Sequence, residues 1–255
     1  MKHGMTTQAL GAMVRTDLTF ADLRAALRAG LADFLACPLY GLFFAAIYVV
    51  GGLALLYAVM QAGQSAWLIA AMAGFPLVAP FAAVGLYEVS RRRLAGEPVS
   101  WRPVLGALRS RGDDQVMLMG SFIFVAFAFW IIIAHTISLV FLADAGAQGI
   151  DVLLTPAGLA MLAVGGAVGA LLAWALFAMT VTSLPMLLDR DIDAVSAIIV
   201  SLKVVSANLG VMLGWAILVA ATLALAMAPL FLGLLVALPV LGHATFHLYR
   251  RAVGR

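Results

Sequence analysis

The stretch VMLMGSFIFVAFAFWIIIAHTISLVFL, residues 116–142, decides the class of this chain. It runs for 27 residues without a single Asp, Glu, Lys or Arg. About 20 apolar residues are enough to cross a hydrocarbon core of ~30 Å, so this stretch can span a membrane. Over the whole chain 65% of residues are apolar and 11% are charged, which lies outside the range of soluble domains. The sequence therefore predicts an all-α polytopic membrane protein.

The positions of the basic residues predict the topology. Apolar stretches at 38–60, 67–89, 157–187, 209–227 and 229–249 bring the number of predicted spans to six. All 15 Lys and Arg residues lie before span 1, between spans 2 and 3, between spans 4 and 5, or after span 6. Basic loops remain in the cytoplasm, so both termini are predicted to be cytoplasmic. The outer loops are predicted near 61–66, 143–155 and 227–229.

No loop is long enough to hold a second folded domain. We therefore predict a mobile cytoplasmic tail at residues 1–18 and a single membrane domain at 19–255. The lone cysteine, Cys37, cannot form a disulfide within the chain, and packing is its predicted role. The net charge of +3 is explained by the basic cytoplasmic loops and by attraction to anionic lipid headgroups, so no nucleic-acid partner is predicted.

A short amphipathic segment precedes each odd-numbered span, at 19–34, 100–111 and 193–208. In the first segment, Leu23, Leu27 and Leu31 belong to an apolar stripe at helical spacing. We expect each segment to form a helix along the cytoplasmic interface, with its basic residue reaching lipid phosphate. The predicted interfacial anchors are Phe20, Arg28, Trp101, Arg109 and Lys203.

The three segments align without gaps, which indicates an internal repeat. The alignment pairs Phe20 with Trp101 and Val195, and Arg28 with Arg109 and Lys203; it also pairs Asp33, Asp114 and Asn208, which we expect to cap the spans that follow. Residues 80–92 align in the same way on 239–251, and this places Glu88 opposite His247. We predict three units, 19–93, 100–191 and 193–251, each an interfacial helix followed by a helical hairpin.

Four runs of sequence carry a family resemblance: DLRAALRAGLADF (22–34), VAPFAAVGLYEVSRRR (78–93), SLPMLLDRD (183–191) and GHATFHLYRR (242–251). They resemble an uncharacterised family of six-span bacterial integral membrane proteins, some of which are labelled as a cytochrome c oxidase subunit. The resemblance covers residues 19–251. It implies membership and fold, but no established activity. We predict that the protein is a multi-pass protein of the bacterial inner membrane.

Ionisable groups within predicted spans are the candidate site residues, because charge at membrane depth is costly. Glu88 and Asp189 lie near the cytoplasmic ends of spans 2 and 4, and His243 and His247 lie one helical turn apart in span 6. Together they could form a two-histidine, two-carboxylate metal site, a proton or substrate site, or a set of interfacial polar groups. We favour the interfacial interpretation and predict neither a metal nor a cofactor. His135, nearer the outer face, could ligate haem, but a hydrogen bond between helices is favoured.

Small residues and prolines add two packing predictions. The pairs Gly165–Gly169 and Gly210–Gly214 permit close helix approach, either within the molecule or in a homodimer. Prolines are expected to kink or locally unwind the even-numbered spans. These prolines are Pro76, Pro80, Pro185 and Pro239.

The sequence holds no nucleotide-binding, zinc-protease or nucleophile-elbow motif, so we predict no catalytic residues and no enzymatic activity. The leading hypothesis is an accessory or assembly factor for another membrane complex, and the family label points to a respiratory one. The alternative is a small transporter or channel with a polar cluster at its cytoplasmic side. A continuous polar cavity between the spans would favour the alternative.

Overall fold

A computed structural model describes residues 14–61, 79–107, 115–143 and 150–254, and the regular elements in these ranges are all helical. The predicted all-α class is therefore confirmed. The α-helices are α1 (Phe20–Ala36), α2 (Pro38–Gln61), α3 (Ala79–Ala95), α4 (Trp101–Gly106), α5 (Gln115–Leu142), α6 (Pro156–Thr180), α7 (Ser183–Asp189), α8 (Ala194–Ala207), α9 (Leu209–Met227) and α10 (Leu234–Ala252). A 3-10 helix, Ile150–Leu154, precedes α6.

Within the described ranges, four helical segments are long and apolar enough to cross a membrane: Pro38–Ala58, Gln115–Leu142, Pro156–Asp189 and Leu209–Met227. They correspond to predicted spans 1, 3, 4 and 5. Most of predicted span 2 lies in residues 62–78, outside the described ranges. The helix of predicted span 6, α10, is not among the four; it carries two histidines and two arginines along its 19 residues. Four spans are supported, and six remain a prediction.

The three predicted interfacial segments contain helices α1, α4 and α8. Thr19 and Asp22 form a capping box at the start of α1, and the Asp193 side chain accepts a hydrogen bond from Ser196 N at the start of α8. Such caps satisfy backbone N–H groups that have no partner within the helix, so they fix where each helix begins. Residues 108–114, which include Arg109 and Asp114, lie outside the described ranges.

Helix α1 buries part of the apolar stripe that its sequence suggests, together with the small and acidic residues beside it. Leu23 and Phe34 of the stripe are buried along with Asp22, Ala26, Gly30 and Asp33, whereas Phe20 of the stripe is 61% exposed. At Gly30 a Cβ atom would lie 2.5 Å from the backbone nitrogen of Ala244, so α1 and α10 are in backbone contact there. Small residues permit this approach. Helix α1 is therefore docked on α10, and the apolar side chains of Phe20 and Leu31 remain exposed at its surface.

The short helices pack in a cyclic order. Helix α1 packs on α10, α4 on α3, and α8 on α6 and α7, while α3, α7 and α10 contact one another. Each short helix thus packs on the second helix of the hairpin in the preceding predicted unit. For α1, in the first unit, that helix is α10 of the third unit. Tyr87 and Phe246, which the sequence alignment pairs, have ring centroids 6.2 Å apart. This order is what three units around one axis would give, and the repeat itself remains a prediction.

Two of the predicted caps are wrong. Asp33 lies inside α1, which ends only at Cys37, whereas the corresponding break after α8 falls at Asn208. The two breaks share a backbone conformation (φ −133°, ψ 55° and φ −127°, ψ 38°), yet they lie four positions apart in the gapless alignment. Asn208 makes no side-chain cap. Its amide nitrogen instead donates to Arg15 O at 2.7 Å, and its oxygen accepts from Leu18 N at 3.0 Å.

The proline predictions have mixed outcomes. The chain breaks between α6 and α7, and Pro185 lies in the first turn of α7, so span 4 is interrupted as predicted. Pro239 lies inside α10, which continues through it. Pro80 is the second residue of α3, and Pro76 lies outside the described ranges.

One predicted outer loop is longer than the sequence suggests, and part of the predicted mobile tail is packed on the protein. The connection between α9 and α10 covers residues 228–233, longer than the predicted outer loop at 227–229, and Leu230 and Phe231 have positive φ there. Residues 62–66 and 144–149 of the other outer loops are outside the described ranges. Residues 14–18 of the predicted tail pack on the carboxyl terminus, where Arg15 N donates to Ala252 O at 2.9 Å.

Candidate functional site

A buried carboxylate joins three helices. Asp33 of α1 accepts a hydrogen bond from Arg93 Nε of α3 at its Oδ1 atom (2.8 Å). Its Oδ2 atom accepts one from Ser90 Oγ of α3 at 2.6 Å and lies 2.8 Å from His247 Nε2 of α10. Ser90 Oγ lies in turn 2.8 Å from His243 Nδ1. We refer to Asp33, Ser90, Arg93, His243 and His247 as the Asp33 cluster.

Helical spacing explains how the cluster assembles. Ser90 and Arg93 are three residues apart on α3, and His243 and His247 are four apart on α10, so each pair faces one direction. The close approach at Gly30 brings Asp33 between the two helices. Asp33 is 5% exposed and His243 is fully buried. Buried charged groups need partners, and Asp33 has three.

The hydrogen bonds determine where the hydrogens lie. An ionised Asp33 can only accept, so Ser90 donates its hydroxyl hydrogen to Asp33 and His247 donates its Nε2 hydrogen. The Ser90 oxygen must then accept from His243, which places the His243 hydrogen on Nδ1. The Nε2 atom of His243 is consequently a bare acceptor. It is buried and has no hydrogen-bond partner among the described residues.

Opposing effects act on the pKa of Asp33. Burial by itself raises this pKa, because it disfavours the charged form. Hydrogen bonds from His247 and Ser90 to the carboxylate outweigh burial and hold the pKa of Asp33 below its ordinary value. The carboxylate therefore remains ionised at neutral pH.

Glu88 belongs to a separate ion-pair group at the end of α3. Its carboxylate accepts from Arg91 Nε at 2.8 Å and from Arg92 Nε at 2.7 Å. Both arginines also contact Glu97, which follows the turn at Gly96. Glu88 is thus neutralised largely within its own helix, and its side chain is buried.

Asp189 belongs to a third group that joins α7 to α10. Its Oδ2 atom accepts from Arg250 Nη1 at 2.6 Å and from the Tyr249 hydroxyl at 2.9 Å. Arg190 Nε donates to the same hydroxyl at 3.1 Å. Together with the Asp33 cluster, this group gathers the carboxyl-terminal turns of α3, α7 and α10 at one end of the molecule.

The structure brings only part of the predicted site together. His243 and His247 meet through Asp33 and Ser90, whereas Glu88 and Asp189 are held in their own ion pairs. Across the described part of the chain, no group of three or more His, Cys, Asp or Glu side chains is placed to hold a metal ion. The four-residue metal alternative therefore has no support in the described residues.

Sequence reasoning missed the central residue of the cluster. Asp33 was interpreted as a helix cap, and Ser90 and Arg93 were given no role. A signal was present, since Asp22, Ala26, Gly30 and Asp33 follow one another at helical spacing. This second stripe, made of small and acidic residues, is buried in α1 together with Leu23 and Phe34 of the apolar stripe.

The remaining predicted residues lie away from the cluster. His135 is exposed on α5. A methyl group added at Gly169 would lie 2.7 Å from the Trp130 ring, and one at Gly214 would lie 2.7 Å from the Phe20 ring. Gly165 has only a distant neighbour at 4.0 Å, and Gly210 has no described neighbour within 4 Å. One glycine of each pair therefore packs within the molecule.

The described interfacial anchors differ in their surroundings. The Trp101 ring packs on the rings of Tyr40 and Phe43, with centroids 4.4 and 5.2 Å away. Phe20 covers Gly214 of α9, and Arg28 is exposed on α1. Lys203 is half-buried on α8.

Comparison with known proteins shows which class of protein the chain resembles. Residues 68–189 match the model of a family described as a predicted integral membrane protein (DUF2189). This chain is an integral membrane protein. The predicted resemblance to an uncharacterised family of membrane proteins is confirmed, although the match covers 68–189 and not the full 19–251. It includes Ser90 and Arg93 but leaves Asp33, His243 and His247 outside. No curated protein and no solved structure matches the chain.

Proposed function

We propose that this protein is a non-enzymatic accessory or assembly factor for another complex in the bacterial inner membrane. We place both termini in the cytoplasm, with anionic lipid headgroups at Arg28 and Lys203, and we propose no nucleic-acid partner. The family label suggests a respiratory complex as the partner. The observation that carries the proposal is the apolar hairpin formed by α5 and α6.

This hairpin exposes a large apolar surface. In the most apolar stretch of Pro156–Asp189 only 11% of the residues are buried, against 28% for Gln115–Leu142, which packs beside it. Exposed side chains cover both helices and include Phe124, Phe129, Ile132, Leu159 and Leu171. Lipid covers such a surface unless another helix does. A hairpin that packs so little against its own molecule supports docking of a partner helix.

Gly165 and Gly166 give the hairpin a surface suited to a partner helix. Gly166 is exposed and has no described neighbour within 4 Å, and Gly165 beside it has one distant contact. Small residues at a helix surface let a second backbone approach closely, and packing is what drives helix association in lipid. We therefore place the partner at this side of α6.

The ion pairs also favour a structural role. Asp22, Asp33, Glu88 and Asp189 each contact at least one arginine. Carboxylates that are neutralised by neighbouring arginines hold the helices together and are not poised for general acid or base chemistry. This pattern suits a rigid scaffold that presents the α5–α6 hairpin.

The test is purification from membranes in mild detergent, followed by mass spectrometry of co-purifying proteins. We expect a defined membrane-protein partner, and we expect G166L to lose it. G210L is the matched control, because Gly210 is equally open but lies on α9. A monomer that purifies alone, or a partner that G166L and G210L retain equally, would refute the proposal.

A small transporter or channel is the second candidate, and the Asp33 cluster favours it. A buried carboxylate between two histidines is the kind of polar group that lines substrate or proton paths in membranes. Reconstitution into liposomes and measurement of pH-gradient decay tests this candidate. A decay that depends on Asp33, and that D33N abolishes, would support it over the accessory role.

A further inference from the structure

We propose that Arg24 and Arg28 of α1 form a binding site for an anionic phospholipid. The two guanidinium groups share one headgroup phosphate, and the apolar side chains beside them contact an acyl chain. The site deepens the lipid contact proposed at Arg28, and to that extent it rests on the proposed function. It adds Arg24 and commits to one class of lipid, and it does not depend on a partner protein at α6.

Helix α1 separates its charges onto opposite sides. Asp22 and Asp33 are buried, whereas Arg24 and Arg28 are exposed. At about 100° of rotation per residue, each arginine lies on the other side of the helix from the carboxylate nearest to it in sequence. Both carboxylates are neutralised by arginines outside α1. The outer side of the helix therefore carries two positive charges and no negative charge.

The two arginines lack the ion pairs that most other arginines form. Within the described part of the chain, neither Arg24 nor Arg28 has an ion-pair or hydrogen-bond partner for its side chain. The described arginines that do contact a carboxylate are Arg15, Arg91, Arg92, Arg93, Arg250 and Arg251. A guanidinium group carries five N–H donors and no acceptor. The donors of Arg24 and Arg28 are thus available to an anion that comes from outside the chain.

The spacing of the two arginines suits a single phosphate. Side chains four residues apart on a helix begin about 5–6 Å from each other, so two long arginine side chains can reach the same group. Guanidinium groups bind phosphate oxygens through pairs of parallel N–H donors. Anionic phospholipids present such phosphates at the cytoplasmic surface of a membrane, where they attract basic residues. Phosphatidylglycerol fits this pair of arginines, because its headgroup carries one negative charge and no positive charge.

Apolar side chains on the same side of α1 provide the contact for an acyl chain. Phe20, Leu31 and Leu35 are 61%, 44% and 67% exposed. Their spacing of three and four residues from the arginines extends one exposed line along the helix in both directions. Leu39, which is 69% exposed, continues this line into α2, a helix long enough to cross a membrane. A soluble anion would use the arginines alone, whereas a phospholipid uses the arginines and the apolar line together.

The experiment is native mass spectrometry of the full chain in mild detergent, with phosphatidylglycerol or phosphatidylcholine added at increasing concentration. We expect the unmodified protein to bind its first phosphatidylglycerol more tightly than its first phosphatidylcholine. R24Q/R28Q should weaken the binding of phosphatidylglycerol by about 25-fold, since each basic residue near anionic lipid contributes about fivefold. Equal affinities of R24Q/R28Q and the unmodified protein for phosphatidylglycerol would overturn the proposal.

R250Q/R251Q is the matched control for the loss of charge. It removes the same two positive charges, but from arginines that contact Asp189 and Asp22. Each of these carboxylates retains a second hydrogen-bond donor in the variant, from Tyr249 and from Arg15. We expect R250Q/R251Q to keep its affinity for phosphatidylglycerol. An equal loss in the two double variants would refute the site, because affinity would then follow net charge alone.

Two further measurements separate the lipid from a free anion and from the partner protein. Inorganic phosphate, added at matched ionic strength, should leave phosphatidylglycerol bound, and its displacement of the lipid would assign the arginines to a soluble anion. L31Q/L35Q should weaken the binding of phosphatidylglycerol, and an unchanged affinity would refute the acyl contact. G166L should keep the lipid even where it loses a partner protein. Failure of the lipid site and failure of the accessory role are therefore distinguishable.

Discussion

Asp33 and His247 are 214 positions apart in the chain, and their side chains meet at 2.8 Å. The contact joins the first described helix to the last one. Arg93 and Ser90 bring α3 to the same carboxylate, so one side chain fixes the relative positions of α1, α3 and α10. A contact between residues so far apart in the chain forms only at the expense of conformational entropy, because it closes a long loop. The Asp33 cluster is therefore a point where the assembly of the helices can be tested directly.

Replacing Asp33 with asparagine should destabilise the protein by about 3 kcal/mol. The variant removes the charge that Arg93 faces, and breaking a buried ion pair at one partner has an effect of this size. The measurement is thermal or denaturant unfolding in detergent. D17N is the matched control, because Asp17 forms an ion pair with Arg15 but is 77% exposed. Exposed pairs contribute about 0–1 kcal/mol, so equal losses in the two variants would contradict this prediction.

Acid should weaken the same junction in a defined direction. The pKa of Asp33 is lower in the folded protein than its ordinary value of about 3.9. A lowered folded-state pKa stabilises the fold above that ordinary value, and the stabilisation is lost as the pH falls towards the folded-state pKa. We expect the unfolding temperature to fall below about pH 4, and to fall less steeply in D33N. If the unfolding temperature falls equally steeply with pH in D33N and in the unmodified protein, groups other than Asp33 cause the loss of stability.

Composition and periodicity were enough to predict the helices and much of their order. Long apolar runs and capping residues such as Thr19 and Asp193 are local signals, and α1, α2, α5, α6, α8 and α9 follow them. Local signals report only part of the buried face of a short helix. In α1, Leu23 and Phe34 of the predicted stripe are buried as expected, but the buried face also takes in the backbone contact at Gly30 and the paired Asp33, and it leaves Phe20 exposed.

The functional site was harder to predict because its members are distributed over three helices. His243 and His247 share a helix and could be paired from their spacing alone. Their partner Asp33 lies in a different unit, and the gapless alignment equated it with Asn208, where the chain breaks. The break in the first unit comes one helical turn later, at Cys37. Because α1 continues for this additional turn, Asp33 lies inside the helix as a buried carboxylate and does not cap the helix that follows.

Gly30→Leu should prevent α1 from docking on α10. Even a Cβ atom would lie 2.5 Å from Ala244 N and 2.6 Å from Val240 O, and backbone atoms cannot move aside as a flexible side chain can. We expect a loss of several kcal/mol, above the ~1–3 kcal/mol typical of an overpacked core. G210A is the control, since Gly210 is open and alanine favours a helix by up to about 1 kcal/mol. Similar stability of G30L and the unmodified protein would show that α1 does not pack in this way.

The last prediction concerns how many times the chain crosses the membrane. All 15 Lys and Arg residues fall in alternate connections, so reporters fused after Gly63 and Gly149 should be periplasmic, and one fused after Gly96 should be cytoplasmic. Helix α10 decides whether the sixth span exists, because it carries two histidines and two arginines and is not among the four long apolar segments. A cysteine at Leu230, which is 59% exposed between α9 and α10, should react with a membrane-impermeant reagent from the periplasmic side when Cys37 is replaced by serine. A reporter at the carboxyl terminus should then be cytoplasmic. A periplasmic signal there would mean that α10 folds back without crossing, and a cytoplasmic signal after Gly63 or Gly149 would refute the six-span topology.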